Sequence, residues 1–309
     1  MKLKAKILSI FLFLFTTLFY TPQIVHAQPL GLSIVPPRFE LFANPGDLIN
    51  ESIKVSNRSD VPQTFGIIIE DFSSAGEEGH VVLEEDESDT QYSLKSWIET
   101  SSQNLVVQPN EEVSFPFSII VPKDAEPGGH YASILFQIGG EPIEGVTNVQ
   151  HRVGALVLLR VSGNVEEEGL VESFSAPAYS KSGPVNFELR VKNNGTTHIR
   201  PNGTIIITNL FGKKIEEIPL NGLNVFPGVI RKMETEWTRE NILGHYTATL
   251  VATYGQQNLP LTAAVKFTVI SPISAVLLIV GALAALIFAL SIISGRNRLI
   301  RALKVLAGK

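Results

Sequence analysis

The chain has 309 residues, 44% hydrophobic and 18% charged, with no cysteine and a formal charge of −5 at pH 7. The apolar fraction excludes a wholly disordered protein, and the missing cysteines exclude disulfide scaffolds, thiolate metal sites, iron–sulfur clusters and thiol nucleophiles. At roughly 150 residues per domain, the length predicts two domains.

At the N-terminus Lys2, Lys4 and Lys6 precede the uncharged run Ile7 to Tyr20, and Val25-His26-Ala27 follows. A basic start, an apolar stretch and small residues at −3 and −1 are the parts of a secretory signal, here residues 1–27, with cleavage leaving Gln28 first. As a helix the 14-residue run rises only about 21 Å, short of a ~30 Å hydrocarbon core, which disfavours an uncleaved anchor.

Period-2 alternation dominates residues 28–271. Val113, Phe115, Phe117, Ile119 and Val121 alternate with other residues, as do Val153, Ala155, Val157, Leu159 and Val161. Further on come Val185, Phe187, Leu189 and Val191, then Tyr246, Ala248, Leu250, Ala252 and Tyr254, then Leu261, Ala263, Val265, Phe267 and Val269. Each pattern predicts a strand with one dry face. Pro116 lacks a ladder donor, which predicts an edge or a bulge for its strand. Ile53-Lys54-Val55-Ser56-Asn57, Pro62 and Ile67-Ile68-Ile69 are echoed by Leu189-Arg190-Val191-Lys192-Asn193, Pro201 and Ile205-Ile206-Ile207. Gly129-His130-Tyr131 is echoed by Gly244-His245-Tyr246. The repeat predicts an all-β fold of two tandem immunoglobulin-like β-sandwiches, seven strands each, over 28–164 and 165–271. The seam falls near Gly163 to Gly169, where Glu166, Glu167 and Glu168 interrupt the apolar pattern. Tyr131 and Tyr246, each opening a strand after a glycine, are placed like the tyrosine corner of such sandwiches. Trp97 and Trp237 read as core or cap residues.

Ile273 to Ile293 gives 21 residues without a charge, Asn or Gln. As a helix this run extends about 32 Å, enough to cross a bilayer. A buried core helix would carry a polar stripe, whereas Ser274 and Ser291 lie only at the ends. The tail 294–309 holds Arg296, Arg298, Arg301, Lys304 and Lys309 and no acid, which predicts a cytoplasmic side. Leu299, Leu303 and Leu306 share one helical face there. All 30 acidic residues fall between the two ends, with 17 basic ones, so residues 28–271 carry a formal −13. Such a surface repels phosphate backbones, and nucleic acid is excluded as a partner.

Motif chemistry is sparse. His80, His130, His151, His198 and His245 form no H-x-x-x-H pair, and no nucleophile elbow, P-loop, dinucleotide fingerprint or zincin motif occurs. The sequence therefore assigns no catalytic, cofactor-binding or metal-binding residue. Glu77, Glu78, Glu84, Glu85, Asp86, Glu87 and Asp89 form an acidic cluster. A solvated hairpin tip is the ordinary reading of such a run and weak divalent-ion binding the alternative.

Pro36-Pro37, Pro45-Gly46, Val55-Ser56-Asn57, Trp97, Leu105 with Pro109-Asn110-Glu111, Val121-Pro122 and Pro127-Gly128-Gly129 follow one another in this chain. From about Ser33 to Val161 this order resembles the N-terminal domain of bacterial WxL-interacting cell-surface proteins. The layout of signal, two sandwiches, span and basic tail is similar too. The resemblance implies a fold distantly like that of pilus chaperones, a first domain that contacts peptidoglycan and a second that contacts a secreted or host partner. The second domain is shorter than that family's and matches it in architecture only. No Trp-x-Leu occurs, since Trp97 precedes Ile98-Glu99 and Trp237 precedes Thr238-Arg239; the chain would be the receptor-like partner.

The expectation is a single-pass, membrane-anchored, non-catalytic surface protein with its sandwiches outside the cell, needing no cofactor. It would bind cell-wall polymer or another surface or secreted protein. One alternative is a chaperone-like assembly module holding subunits by strand addition, for which a free, long, apolar edge strand is the discriminating feature. A sensor would need a larger cytoplasmic tail, and an extracytoplasmic hydrolase a cleft of converging Asp, Glu or His.

Overall fold

The computed structural model describes residues 31–84, 91–138, 151–181, 183–239, 242–270 and 272–306. The expected signal 1–27, acidic residues Glu85, Asp86, Glu87 and Asp89, and the last residues of the tail lie outside them.

The chain is mostly β. Among the described residues ten strands fill the first half: β1 (Leu32–Val35), β2 (Arg38–Ala43), β3 (Leu48–Asn57), β4 (Gln63–Ala75), β5 (His80–Glu84), β6 (Ile98–Thr100), β7 (Asn104–Val107), β8 (Glu112–Ile120), β9 (Gly128–Ile138) and β10 (His151–Val161). Eight follow: β11 (Gly169–Ser175), β12 (Tyr179–Ser180), β13 (Val185–Asn193), β14 (Asn202–Asn209), β15 (Lys214–Pro219), β16 (Ile230–Trp237), β17 (Leu243–Tyr254) and β18 (Leu259–Ile270). Ten and eight replace the expected seven and seven. The additional strands are mostly short, and pieces such as β6 and β12 are too brief for a period-2 run to register.

The first half folds as a sheet of order β1-β3-β8-β6 facing one of order β2-β10-β9-β4-β5, with β7 also on β4. Between them the alternating rows meet. Ile53, Val55, Phe115, Phe117 and Ile119 from one sheet pack on Phe65, Ile134, Phe136, Ala155, Val157 and Leu159 from the other. The second half pairs a β11-β13-β16 sheet with a β12-β18-β17-β14-β15 sheet. Val185, Phe187, Leu189, Val191 and Trp237 there face Ile205, Ile207, Ala248, Leu250 and Phe267. Trp237 is buried, and its indole N–H donates to Glu216 Oε2 at 2.8 Å. Trp97 packs on the edge of the first core.

Strand β9 departs from alternation. Residues 128–136 are buried on both faces. Ala132, Ile134 and Phe136 point into the first core, while Tyr131 turns outward to meet Phe72, Leu158 and, from the second half, Phe226. A strand covered on both sides loses the polar row that marks a half-exposed one.

The Pro116 strand, β8, is not an edge strand. It pairs with β3 from Glu112 to Ile120 without a bulge, Pro116 opposite Ser52. On its other side β6 covers only Phe117 to Ile119. Pro116 sits one residue past the end of β6, where no ladder donor is demanded.

Helix α1 runs from Pro272 to Leu306 and so continues through most of the basic tail rather than ending at Ile293. Its described apolar side chains between Val276 and Ile292 are exposed around the helix. Among the described residues no helix is long and apolar enough to cross a membrane.

Candidate binding surfaces

The fold uses its buried titratable residues as staples. His130 is 3% exposed, its ring nitrogens lying 3.0 Å from the Ser93 carbonyl and 2.9 Å from the Glu126 carbonyl, and its ring packs on Trp97. Neither nitrogen is left for a metal or a substrate. Asp71 accepts from the backbone N–H groups of Leu94 and Lys95 at 3.0 and 2.8 Å and from the Ser93 hydroxyl. Its carboxylate thus fixes the loop before β6. His80, His151 and His245 are exposed and lie on different strands. Among the described residues no three His, Asp or Glu side chains are grouped to hold a metal ion.

The Gly-His-Tyr repeat has a steric meaning. A Cβ on Gly129 would lie 2.0 Å from the Tyr131 hydroxyl, so the ring leans back over the glycine two positions before it. The Tyr246 ring leans over Gly244 more loosely, 3.9 Å from the corresponding Cβ position. The tyrosine-corner expectation is corrected for Tyr131, whereas Tyr246 bonds a backbone group three residues upstream as such a corner does. The Tyr131 hydroxyl accepts the His198 N–H at 2.8 Å and so joins the two halves, while the Tyr246 hydroxyl donates to the Leu243 carbonyl at 3.1 Å. The two histidines also differ, since His245 is exposed beside the Thr268 hydroxyl.

Around Tyr131 the halves form a continuous contact. Phe226 meets it edge-on with centroids 4.9 Å apart, and the His198 ring lies 5.6 Å away. Burial drives the His198 imidazole down to about 4, against the pull of Glu40, and pushes the Tyr131 hydroxyl well above its usual range. Burial opposes the Glu40 carboxylate, but the Asn224 amide at 3.0 Å and the charges of Arg38, His198 and Arg200 outweigh it and lower its pKa. Glu167, in the expected seam, is an ion-pair partner of Arg160 and accepts the Gln256 N–H at 3.1 Å, tying the end of β10 to the β17–β18 turn.

The part of the acidic cluster that is described is not merely solvated. Glu77 Oε2 accepts from Arg190 Nε at 2.6 Å, and Glu78 Oε1 lies 2.6 Å from Lys232 Nζ. The Lys232 backbone N–H donates to the Glu77 carbonyl at 2.8 Å. The β4–β5 turn therefore docks on the β13–β16 sheet.

Sheet edges are one surface open to partners. In β10, β9 pairs with all eleven residues from His151 to Val161, but β2 pairs only with Leu156 to Val161. The first five residues of β10 run on beyond β2 with β9 as their strand neighbour among the described residues. By contrast the edge strand β15 carries Lys214, Glu216, Glu217 and Pro219, residues that discourage pairing.

No family model matches the chain, and no curated protein matches it in sequence. Among solved structures, a class 5 fimbriae chaperone is 12% identical with a TM-score of 0.39, over 77% of this chain and 99% of that one. The CupB2 chaperone of Pseudomonas aeruginosa is 8% identical with a TM-score of 0.35, over 77% and 100%. A chaperone–tip adhesion subunit pre-assembly complex of the archaic Csu pili of Acinetobacter baumannii is 13% identical with a TM-score of 0.36, over 65% and 89%. Likenesses of this size assign neither activity nor partner.

Proposed function

We propose that the chain is a membrane-anchored, non-catalytic binding protein that holds an extended segment of another exported protein by strand addition at the start of β10. The observation that carries this reading is the register difference: β10 extends five residues past its parallel neighbour β2. An added strand there would lie alongside the start of β10, against half-buried Val153. Strand addition, rather than cell-wall binding, is the alternative that an observed feature favours. The anchor rests on the uncharged run 273–293 and on the bare circumference of α1, an arrangement that suits lipid. The immunoglobulin-like sandwiches, the cleaved signal 1–27, the division at 164/165 and the cytoplasmic tail belong to the same proposal.

A photoreactive benzoylphenylalanine placed at His151, and separately at exposed Val106 on the opposite edge of the sheet, tests it in intact cells. The expected result is one discrete exported-protein adduct from position 151, mapped to an extended apolar segment, and none from position 106. No adduct from 151, or the same adduct from both, refutes strand addition at this edge.

A further inference from the structure

One end of the second half carries apolar surface that its partners leave bare. The β14–β15 turn presents Leu210, 70% exposed, and Phe211, 89% exposed. The register fixes where that turn lies. Asn209 is opposite Tyr246, which is opposite Phe267, and from there both β14 and β18 run toward the row Leu243–Ile270. Leu243 and Ile270 are themselves exposed, and Tyr179, opposite Thr268, is 76% exposed. Helix α1 begins two residues after Ile270. An extended residue covers at most about 3.6 Å, so this end of the sheet is within roughly 10 Å of the first residues of the uncharged run.

The groove beside the turn lacks the acidic character of the rest. Residues 28–271 carry a formal −13, yet Lys213 is exposed beside Phe211, and the shallow groove next to the turn is lined by Tyr179, Leu210, His245 and Lys266 with no carboxylate among its described residues. The turn is also held in shape: Asn209 Oδ1 accepts the backbone N–H groups of Phe211 and Lys213, each at 3.0 Å. An aromatic and a leucine on a rigid turn, flanked by lysine and placed at the foot of an apolar helix, match the requirements of a bilayer interface.

We infer that the Leu210-Phe211 turn is a second membrane contact, entering the interfacial layer of an anionic bilayer beside α1 and setting the tilt of the sheet pairs over the surface. This rests on the proposed span 273–293. A second contact beside the helix removes a rotational freedom that a single helix leaves open.

The missing cysteines make the test direct. The full chain carrying Phe211→Cys is labelled with a nitroxide, placed in bilayer discs of phosphatidylglycerol and phosphatidylcholine, and its spin-label relaxation is measured with oxygen and with a water-soluble nickel chelate. Leu283→Cys, in the run, and Val106→Cys, in the first half, serve as references. The expected result is a label at 211 intermediate between the two, shielded from the chelate and reached by oxygen, with shielding reduced when phosphatidylglycerol is omitted. A label at 211 as open to the chelate as that at 106, with 283 in lipid, overturns the turn contact alone. A label at 283 open to the chelate overturns the span, and the turn contact with it.

Discussion

Asn57 and Asn193 close the two copies of the repeat with the same set of bonds. Asn57 Nδ2 donates to the carbonyls of Val61 and Val107 at 2.8 and 3.0 Å, and its Oδ1 accepts the Ser59 N–H at 2.9 Å. Asn193 Nδ2 donates to the carbonyls of Thr197 and Val225, each at 2.8 Å, and its Oδ1 accepts the Gly195 N–H at 2.9 Å. Both side chains are buried. A carboxylate of the same shape cannot donate, so Asn57→Asp and Asn193→Asp each leave two carbonyls unpaired and bury a charge. Each substitution is expected to cost about 2–4 kcal/mol in chemical denaturation at neutral pH. A loss near zero at either site would mean that the amide is not the clamp described. The repeat itself was legible, because Val-Ser-Asn and Val-Lys-Asn end alternating runs. The clamp was not, since the carbonyls at Val107 and Val225 are supplied by chain far downstream.

At the scale of elements, the β4–β5 turn shows how a surface charge run acquires a job. Glu77 and Glu78 face Arg190 and Lys232 on β13 and β16, and the turn's backbone takes one donor from the outer strand β16. The hydrogen bond from Lys232 lowers the Glu78 pKa, and the bond to Glu77 raises that of Arg190. These groups are open to solvent, so their attraction is small and screened by salt. The stability difference between the chain and its Glu77→Gln/Glu78→Gln variant is expected to be measurable at low salt and to vanish at 1 M NaCl, read as melting temperatures in the two buffers. A difference that survives high salt would mean that packing of the turn holds the contact. The acidic cluster was visible as a cluster, but its basic partners lie more than a hundred residues away, and no local periodicity relates them. The long strands β8, β10, β13, β17 and β18 were legible for the opposite reason, that each writes its burial directly into its own alternation.

For the molecule as a whole, the contact around Tyr131 and His198 makes cohesion of the halves sensitive to acid. The His198 imidazole is lowered by burial to about 4 in the fold, against roughly 6.5 in an unfolded chain. Between those values the unfolded state binds a proton that the folded state refuses, so stability is lost as the pH falls from about 6.5 toward 4. Glu40, which faces the ring with Arg38 and Arg160, has a lowered pKa and adds its own loss only below the usual carboxylate range. Part of the His198 side chain still meets solvent, so the loss is no more than about 3 kcal/mol. Urea midpoints between pH 7.5 and 4.5 should fall less steeply in His198→Gln than in the parent chain. Equal slopes would remove His198 from the acid response. None of this contact was legible beforehand: Tyr131 looked like a fold staple because the sequence shows a strand's period but not which second surface covers it.

The double coverage of β9 has a bearing on how the polypeptide is made. Synthesis delivers the N-terminal half first, and that half has all ten of its strands once Val161 has emerged. Phe226 arrives 65 residues later; until then Phe72, Tyr131 and Leu158 form a wet apolar patch on an otherwise finished body. Nascent chains paused in that interval should be the ones that aggregate or recruit a holding factor, so the vulnerable stage in this protein's birth falls after its first half has folded.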